Sequence, residues 1–572
     1  MTLLKSTLLA SAAGFAAVAG AQAADLPVKK AAPIEYVRVC SAYGAGFFYI
    51  PGTDTCLRLS GRARLEAGYQ TAYSRQNGSN NGDSTGYAGR LRINVDARTQ
   101  TAYGTLRAFV RLDAGSRTGQ SGPGTSGTQQ RIGNAYFATG VDGFGRVQQF
   151  SNVDKAFIQF AGFTAGRASS FFDFYAHDFE FTGATAGSDL ASTNLIAYTA
   201  TLGNGFSATI SAEDPSFRRT PIFSPTVNAS NVTTNSAISN AGVFLTNSPV
   251  PVYIGYNGAT GTRIGSIDAI ERNRMPDFVG ALRYDAAWGS LQVSGAVHEL
   301  NVGNVANGAG AGQFNLVGTP AVVTASAVPA GATNVSIAHT DSSYGYAFQG
   351  GAKVNLPFIS PGDTLYLQGA YGVGAQLYTG YSSYTGSYTQ STTTIQGQKF
   401  AQYFSDATIN PFTGQMSLSD SFTVSAAYLH YWSPEWRSAA FGSYGEQNFS
   451  AGARAGQGNI YSSVNGAGVN VFGSNAVGQP GTRFYQLSQA LRDTYQFVAG
   501  ASLIWSPVKD LDIGVEGFYT QIGVKNGRVI DTDKDPTAYT GARIAAINAG
   551  GLVRTTTADS VQRVVFRVQR DF

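Results

Sequence analysis

The sequence predicts an all-β fold: a 16-stranded antiparallel transmembrane β-barrel with short turns at one end and long loops at the other. Three observations carry this prediction. Sixteen segments alternate apolar and polar residues, as strands with two unlike faces do. Short and long connections alternate strictly between them. After the N-terminal leader no uninterrupted apolar run reaches 18 residues, so no membrane-spanning helix is available.

Composition agrees with the pattern. Charged residues are 13 % of the chain, against roughly 25 % in an average soluble domain. Glycine (70), tyrosine (30) and phenylalanine (35) are abundant. A barrel spreads its apolar residues one in two, which gives this profile without a helical span. The formal charge of +4, or +3 once Lys5 leaves with the leader, is too small to suggest a nucleic-acid partner.

The leader comes first. Lys5, the apolar run Leu8–Val18 and Ala21-Gln22-Ala23 form a charged region, an apolar region and a cleavage signal, so residues 1–23 read as a signal peptide. Residues 24–56 follow as a periplasmic N-terminal segment, and 57–572 as the barrel. Cys40 and Cys56 are an even, close pair in an exported chain and read as a disulfide, which stabilises by roughly 3 kcal/mol in the chain-entropy picture. A metal site is the alternative, but no histidine lies nearby, and neither a metal nor a cofactor is expected. Tyr43, Phe47, Phe48 and Tyr49 fill the loop that the pair closes.

The first three barrel strands are the most strongly patterned. In 57–69, Leu57, Leu59, Leu65 and Tyr69 share one face with small residues, and Arg58, Arg62, Arg64 and Glu66 share the other. In 87–98, Leu91, Ile93 and Val95 oppose Arg90, Arg92, Asp96 and Arg98; in 104–113, Leu106, Val110 and Leu112 oppose Arg107, Arg111 and Asp113. A one-residue slip would turn every arginine toward lipid, at roughly 2–4 kcal/mol each near mid-bilayer, so the register is strongly specified. The other strands are expected near 155–161, 163–170, 193–202, 206–213, 277–285, 290–298, 346–356, 364–374, 422–432, 437–445, 495–505, 511–520 and 560–572. An even count suits a closed bacterial barrel.

Seven short turns and eight long loops place both strand ends on the turn side, which in outer-membrane barrels is periplasmic. Trp288, Trp432, Trp436 and Trp505 all stand at or beside short turns, as an aromatic girdle at the membrane interface requires. The final strand, 560–572, ends on Phe572 with no polar tail, and a terminal aromatic strand is the signal read by the outer-membrane assembly machinery. Arg570 shares the lipid-facing parity there, and its closeness to the interface makes that tolerable. The long loops, such as 304–312 and 378–394, are polar and of low complexity and are expected to be exposed and mobile.

No catalytic constellation stands out. His177, His298, His339 and His430 are scattered without metal-ligand spacing, and no H-E-x-x-H or G-x-S-x-G occurs. The informative stretch is the third loop, Phe171–Leu190, whose charges are Asp173, Asp178, Glu180 and Asp189, with no Lys or Arg. The lumen face of strands one to three carries the opposite sign in Arg58, Arg62, Arg64, Arg90, Arg92, Arg107 and Arg111. If the loop folds inward, acids face an arginine ladder across a narrow polar eyelet that sorts solutes by size and charge. The alternative is an outward loop with solvated acids. The aromatics Phe171, Phe172, Phe174, Phe179 and Phe181 favour the inward form.

The stretches CSAYGAGFFYIPGTDTCLRLSGRAR (40–64), FIQFAGFTAGRASSFFDF (157–174), PDFVGALRYDAAWGSLQVSGAVHE (276–299), AAYLHYWSPEW (426–436) and WSPVKDLDIGVEGFYTQ (505–521) resemble the general diffusion porins of alphaproteobacteria. The resemblance implies a 16-stranded barrel in the outer membrane, surrounded by lipid, assembled as a homotrimer, with an inward third loop. It also implies passive diffusion of ions and small hydrophilic solutes rather than enzymatic activity. A substrate-selective channel for a sugar or a carboxylate on the same barrel is the runner-up. The loops within 214–276 and 375–494 match no family pattern.

Overall fold

The computed structural model describes residues 38–70, 85–119, 148–175, 177–189, 192–220, 222–227, 241–245, 252–257, 262–267, 272–302, 305–307, 314–317, 322–325, 337–338, 342–381, 405–409, 415–450, 452–455, 462–465, 468–471, 477–478, 480–539 and 541–572. Residues 1–23, read above as a signal peptide, His339 and the 382–394 part of the Tyr/Ser/Thr run lie outside the described residues. The chain forms two compact units, 1–58 and 59–572.

In the first unit, the short strand Phe48–Tyr49 pairs antiparallel with Cys56 and Leu57. The expected disulfide is present, with Cys40 and Cys56 Cα atoms 6.0 Å apart. Phe47 is buried against both half-cystines, and Tyr43 and Tyr49 pack around it, so the aromatic loop is a small core. Arg58 belongs to this unit and is exposed.

The second unit is a closed antiparallel barrel. Its strands are β1 (Cys56–Gln70, entering from the first unit), β2 (Thr85–Thr101), β3 (Gly104–Gly119), β4 (Gln148–Phe160), β5 (Phe163–Ala168), β6 (Thr193–Gly203), β7 (Phe206–Glu213) and β8 (Asp277–Ala286). They continue as β9 (Gly289–Leu300), β10 (Ser343–Asn355), β11 (Thr364–Val373), β12 (Asp420–Tyr431), β13 (Trp436–Asn448), β14 (Thr494–Val508), β15 (Leu511–Val524) and β16 (Ala558–Asp571). Each pairs with its sequence neighbours. β16 also pairs with β1, from Arg62 opposite Asp571 to Gln70 opposite Arg563, and this closes the sheet. No described helix is long and apolar enough to cross a membrane.

The two faces follow the sequence parity. Leu59, Leu65, Tyr69, Leu91, Ile93, Leu106, Val110 and Leu112 are exposed on the outside, where lipid would cover them. Glu66, Asp96 and Asp113 are buried on the inside. The turn-side aromatics are exposed as a girdle would be, and Trp436 pairs with Trp505 across β13 and β14 with rings 5.9 Å apart and nearly parallel. At the seam, the Gly61 amide donates to the Phe572 carbonyl (2.8 Å) and the Phe572 amide donates to the Gly61 carbonyl (3.0 Å). A Cβ at Gly61 would stand 2.4 Å from the Arg92 carbonyl oxygen and 2.6 Å from the Phe572 ring, so only glycine lets the terminal ring lie there. Arg570 does snorkel: its guanidinium donates to the Lys509 carbonyl in the last short turn.

Two features depart from simple alternation. In β4 the register shifts between Arg111 opposite Lys155 and Leu112 opposite Val153, so Asp154 is the extra residue of a bulge and is buried inside the barrel. The strand therefore begins at Gln148, earlier than the 155 that alternation suggests. The long loops also carry structure that composition did not foretell. Segments 223–227, 241–245, 252–257, 262–267, 305–307, 337–338, 407–409 and 416–418 pair into one separate sheet. Phe484, Ile530, Ala538 and Ile547 bury one another between the seventh and eighth loops.

Candidate functional site: an eyelet between the third loop and an arginine wall

The third loop leaves β5 and folds inward. Side chains at lumen positions on the far wall hold its backbone. Ser294 Oγ on β9 and Gln349 Nε2 on β10 donate to the Phe172 carbonyl (2.8 and 2.7 Å). Gln368 Oε1 on β11 accepts from the Tyr175 amide (2.9 Å), and Ser443 Oγ on β13 accepts from the Ala186 amide (2.7 Å). Glu516 on β15 accepts from the Phe181 amide (2.6 Å) and the Thr182 hydroxyl (3.0 Å). Arg567 on β16 donates to the Phe181 carbonyl. Six strands thus satisfy loop backbone or hydroxyl groups that an inward loop would otherwise bury unpaired.

Apolar residues at lumen parity receive the loop's aromatics. Tyr175 packs among Tyr366, Ala427, Phe441, Val498 and Phe518, with Phe174 and Phe179 beside it. Phe181 packs on Ile504 and Val565, and Gly514 leaves room for its ring, since a Cβ there would meet it at 2.7 Å. Val565, the one break in the alternation of the last strand, is fully buried under Phe181.

What remains open between loop and near wall is a polar cavity of about 540 Å³. Arg62, Arg64, Arg90, Arg92 and Arg111 line it together with Asp173, Asp178, Glu180 and Asp189, so the structure brings the four loop acids and five of the seven ladder arginines to one site. Arg107 stands nearer the short turn, bound to Asp96 through two 2.9 Å contacts and to Gln159 Oε1 (2.9 Å), and is not among the lining residues. Arg58 is not among them either.

The wall carries its own counter-ions. Asp113 accepts from Arg90 (3.2 Å) and bidentately from Arg92 (2.8 and 2.9 Å). Arg567 Nε donates to Glu66 (2.6 Å), Arg64 lies 3.4 Å from the same oxygen, and Arg62 pairs with Asp571 (3.0 Å). Alternation could not find Asp154, because the bulge alone turns it inward, 3.6 Å from Arg111 and 3.8 Å from Arg92. Lys155, Arg437, Asp512 and Arg567 also line the cavity and were not singled out from the sequence. Arg567 was legible as a charge on the inward face of the last strand.

The four acids are not equivalent. Asp178 is exposed toward the cavity. Glu180 is buried and accepts from the Thr185 amide (2.9 Å) and Tyr175 Oη (3.1 Å), with His177 Nδ1 at 3.1 Å. Burial opposes its ionisation, but the His177 and Thr185 contacts outweigh this and hold its carboxyl below the usual range. Asp173 is tied to Arg218 of the fourth loop (2.7 Å). Asp189 is buried at the cavity edge. The described residues hold no cluster of three or more metal-ligating side chains placed to bind an ion.

The family model described as "Porin subfamily" matches residues 25–543. Porin Omp2b of Brucella suis biovar 1 (strain 1330) and Porin Omp2b of Brucella abortus (strain 2308) are each 34 % identical over 300 residues, covering 50 % of this chain and 64 % of theirs. The chain thus spans just under two thirds of the length of these curated relatives. Among solved structures, the outer membrane channel DcaP of Acinetobacter baumannii aligns with 92 % of this chain and 99 % of its own, at 12 % identity and a TM-score of 0.46. The chain is an outer-membrane β-barrel and belongs to the Porin subfamily.

Proposed function

We propose that the protein is a passive diffusion pore for ions and small hydrophilic solutes, with its narrowest point between the third loop and the arginine wall. The observation that carries this reading is the cavity itself: about 540 Å³, lined by acids on the loop side and arginines on the wall side, and bounded by a loop hydrogen-bonded to six strands. Opposed charges across such a constriction set a transverse field and discriminate by size and charge. Asp178 is the loop's exposed charge in this reading. Glu180 and Asp173 shape the loop, and Asp189 completes its acidic edge. Arg62, Arg64, Arg90, Arg92 and Arg111 form the basic side.

Membership of the porin subfamily indicates a channel rather than an enzyme. Two histidines fit structural work: the buried His298, with Nδ1 2.7 Å from Asp277, and the partly exposed His430, with Nδ1 2.8 Å from Asp363. Assembly as a homotrimer belongs to the same proposal and rests on the family resemblance. Removal of residues 1–23, a periplasmic placement of 24–56 and recognition of Phe572 by the assembly machinery belong to it too and rest on the leader pattern, the alternation of short turns and long loops, and the terminal aromatic strand. A selective sugar channel would expose aromatics along the solute path. Tyr366, Phe441 and Phe518 on the far wall are instead packed against the third loop. The cavity lining is mostly charged, with Phe179 and Phe181 its only aromatics apart from His177 among the described residues, which favours the unselective pore.

Single-channel recording in planar bilayers tests the reading. Conductance is expected to rise in proportion to salt concentration without saturation, and addition of neutral sugars should not block it at low concentration. Saturation by one solute would favour the selective channel, and an absence of channels would contradict both.

A further inference from the structure

We propose that Arg218, on the fourth outer loop, is the positioning residue that sets the width of the eyelet by clamping the neck of the third loop. This deepens the diffusion-pore reading and rests on it.

The third loop has a tip and a neck. The tip is fastened to the far wall through Glu516 and Ser443. The neck is where Asp173 on the outgoing limb meets Ser188 on the returning limb, and there Ser188 Oγ donates to Asp173 Oδ1. Arg218 spans both limbs. Its Nη2 donates to Asp173 Oδ1 (2.7 Å) and its Nη1 donates to Ser188 Oγ (2.8 Å). One planar fork therefore fixes the distance between the two limbs, which a point charge could not do.

The fork is itself held. Arg218 follows a short 3-10 turn, Pro215–Phe217, whose first free amide, on Ser216, donates to Asp214 Oδ1 (2.9 Å). Its guanidinium lies 4.1 Å from the centroid of Tyr378 and 5.6 Å from that of Phe172. Arg218 is only 2 % exposed, a placement that needs a matched carboxylate. Burial works against its charge, but Asp173, Tyr378 and Glu213 more than offset this and strengthen its protonated form.

The sixth loop carries the clamp to the barrel. Nη1 also reaches the Leu377 carbonyl (3.3 Å), Tyr378 Oη donates to Asp277 Oδ2 (2.6 Å) on β8, and Asp277 Oδ1 meets His298 of β9. Asp406 binds the fourth and sixth loops together, accepting from the amides of Thr220 (3.1 Å) and Gln376 (2.5 Å). Gly380 lies so close to the third loop that a Cβ there would be 1.9 Å from the Gly187 carbonyl oxygen, at a φ of +70°. Three outer loops thus converge on one buried polar knot. A displacement of the fourth or sixth loop outside the membrane acts on the neck, and through it on the gap facing the arginine wall.

Single-channel conductance and solute-size cut-off in liposome swelling, measured on Arg218→Met, Arg218→Lys and Asp173→Asn, test this. Arg218→Met is expected to raise conductance about twofold, to scatter it over several levels and to admit larger sugars. Asp173→Asn should shift both readings the same way, and Arg218→Lys, which keeps the ion pair without the fork, should fall between wild type and Arg218→Met. If Arg218→Met does not assemble, the near-isosteric Asp173→Asn carries the test. Folded variants with wild-type conductance and cut-off would overturn the clamp, as would a lowered melting temperature with both readings unmoved. Wild-type protein without channels would instead overturn the pore.

Discussion

Arg567→Met should destabilise the barrel by about 3–5 kcal/mol, because it leaves a buried carboxylate without its main partner. Glu66 is fully buried on β1, and its Oε1 accepts from Arg567 Nε across the closing seam at 2.6 Å. Arg64, 3.4 Å away, is shared with Gln569, to which it donates at 2.9 and 2.6 Å. The strand ladder of the seam would survive the substitution, so the loss falls on the Glu66 carboxylate and on the Phe181 carbonyl that Arg567 also serves. Thermal unfolding in detergent, followed by loss of the compact electrophoretic form, reads it directly. The double variant Glu66→Gln/Arg567→Met should recover part of the loss, since it removes the stranded charge as well. A melting point within error of wild type for Arg567→Met would contradict the account of Arg567 as the main partner of Glu66.

Glu516→Ala is expected to have a comparably large effect on the current and a small one on barrel melting. Glu516 is fully buried, and both its oxygens are used by the tip of the third loop. Its removal leaves the Phe181 amide inside the barrel without an acceptor, a penalty of about 1–3 kcal/mol that the loop can relieve only by moving toward water. Movement lifts Phe181 from Ile504 and Val565 and widens the eyelet. The expected record is noisy, with open levels on the order of twofold above wild type. Quiet wild-type conductance would mean that the remaining anchors suffice.

The sixteen strands were legible because the bilayer imposes one rule on all of them: lipid-facing positions must be apolar whatever the lumen needs. The four tryptophans beside the short turns and Phe572 are exposed, as the same rule leads one to expect at the membrane edge. The lumen face has no such rule, and there the reading was incomplete. Tyr366, Phe441, Val498, Phe518 and Val565 look like breaks in alternation along the strands, yet they are the landing surface of the third loop. Apolar residues at lumen parity were therefore a usable sign of the loop's path. Asp154 was hidden because a bulge breaks the parity on which the pattern depends. Arg218 was hidden for another reason: it meets Asp173 from 45 residues away, out of a loop whose composition carries no period. Glu180 shows the opposite limit. Its charge was plain in the sequence, but its use inside the loop, by Tyr175, His177 and Thr185, depends on a turn that places His177 at a φ of +55°.

The claim that the third loop stands in the solute path is tested most directly at its exposed acid. Both native cysteines are joined to each other, so Asp178→Cys adds one reactive thiol to an otherwise inert chain. With channels open in a planar bilayer, a positively charged thiol reagent should cut the single-channel current and shift the reversal potential toward anions, and a reducing agent should restore both. An unchanged current after demonstrated labelling of Cys at that position would place the third loop outside the pathway and contradict the account.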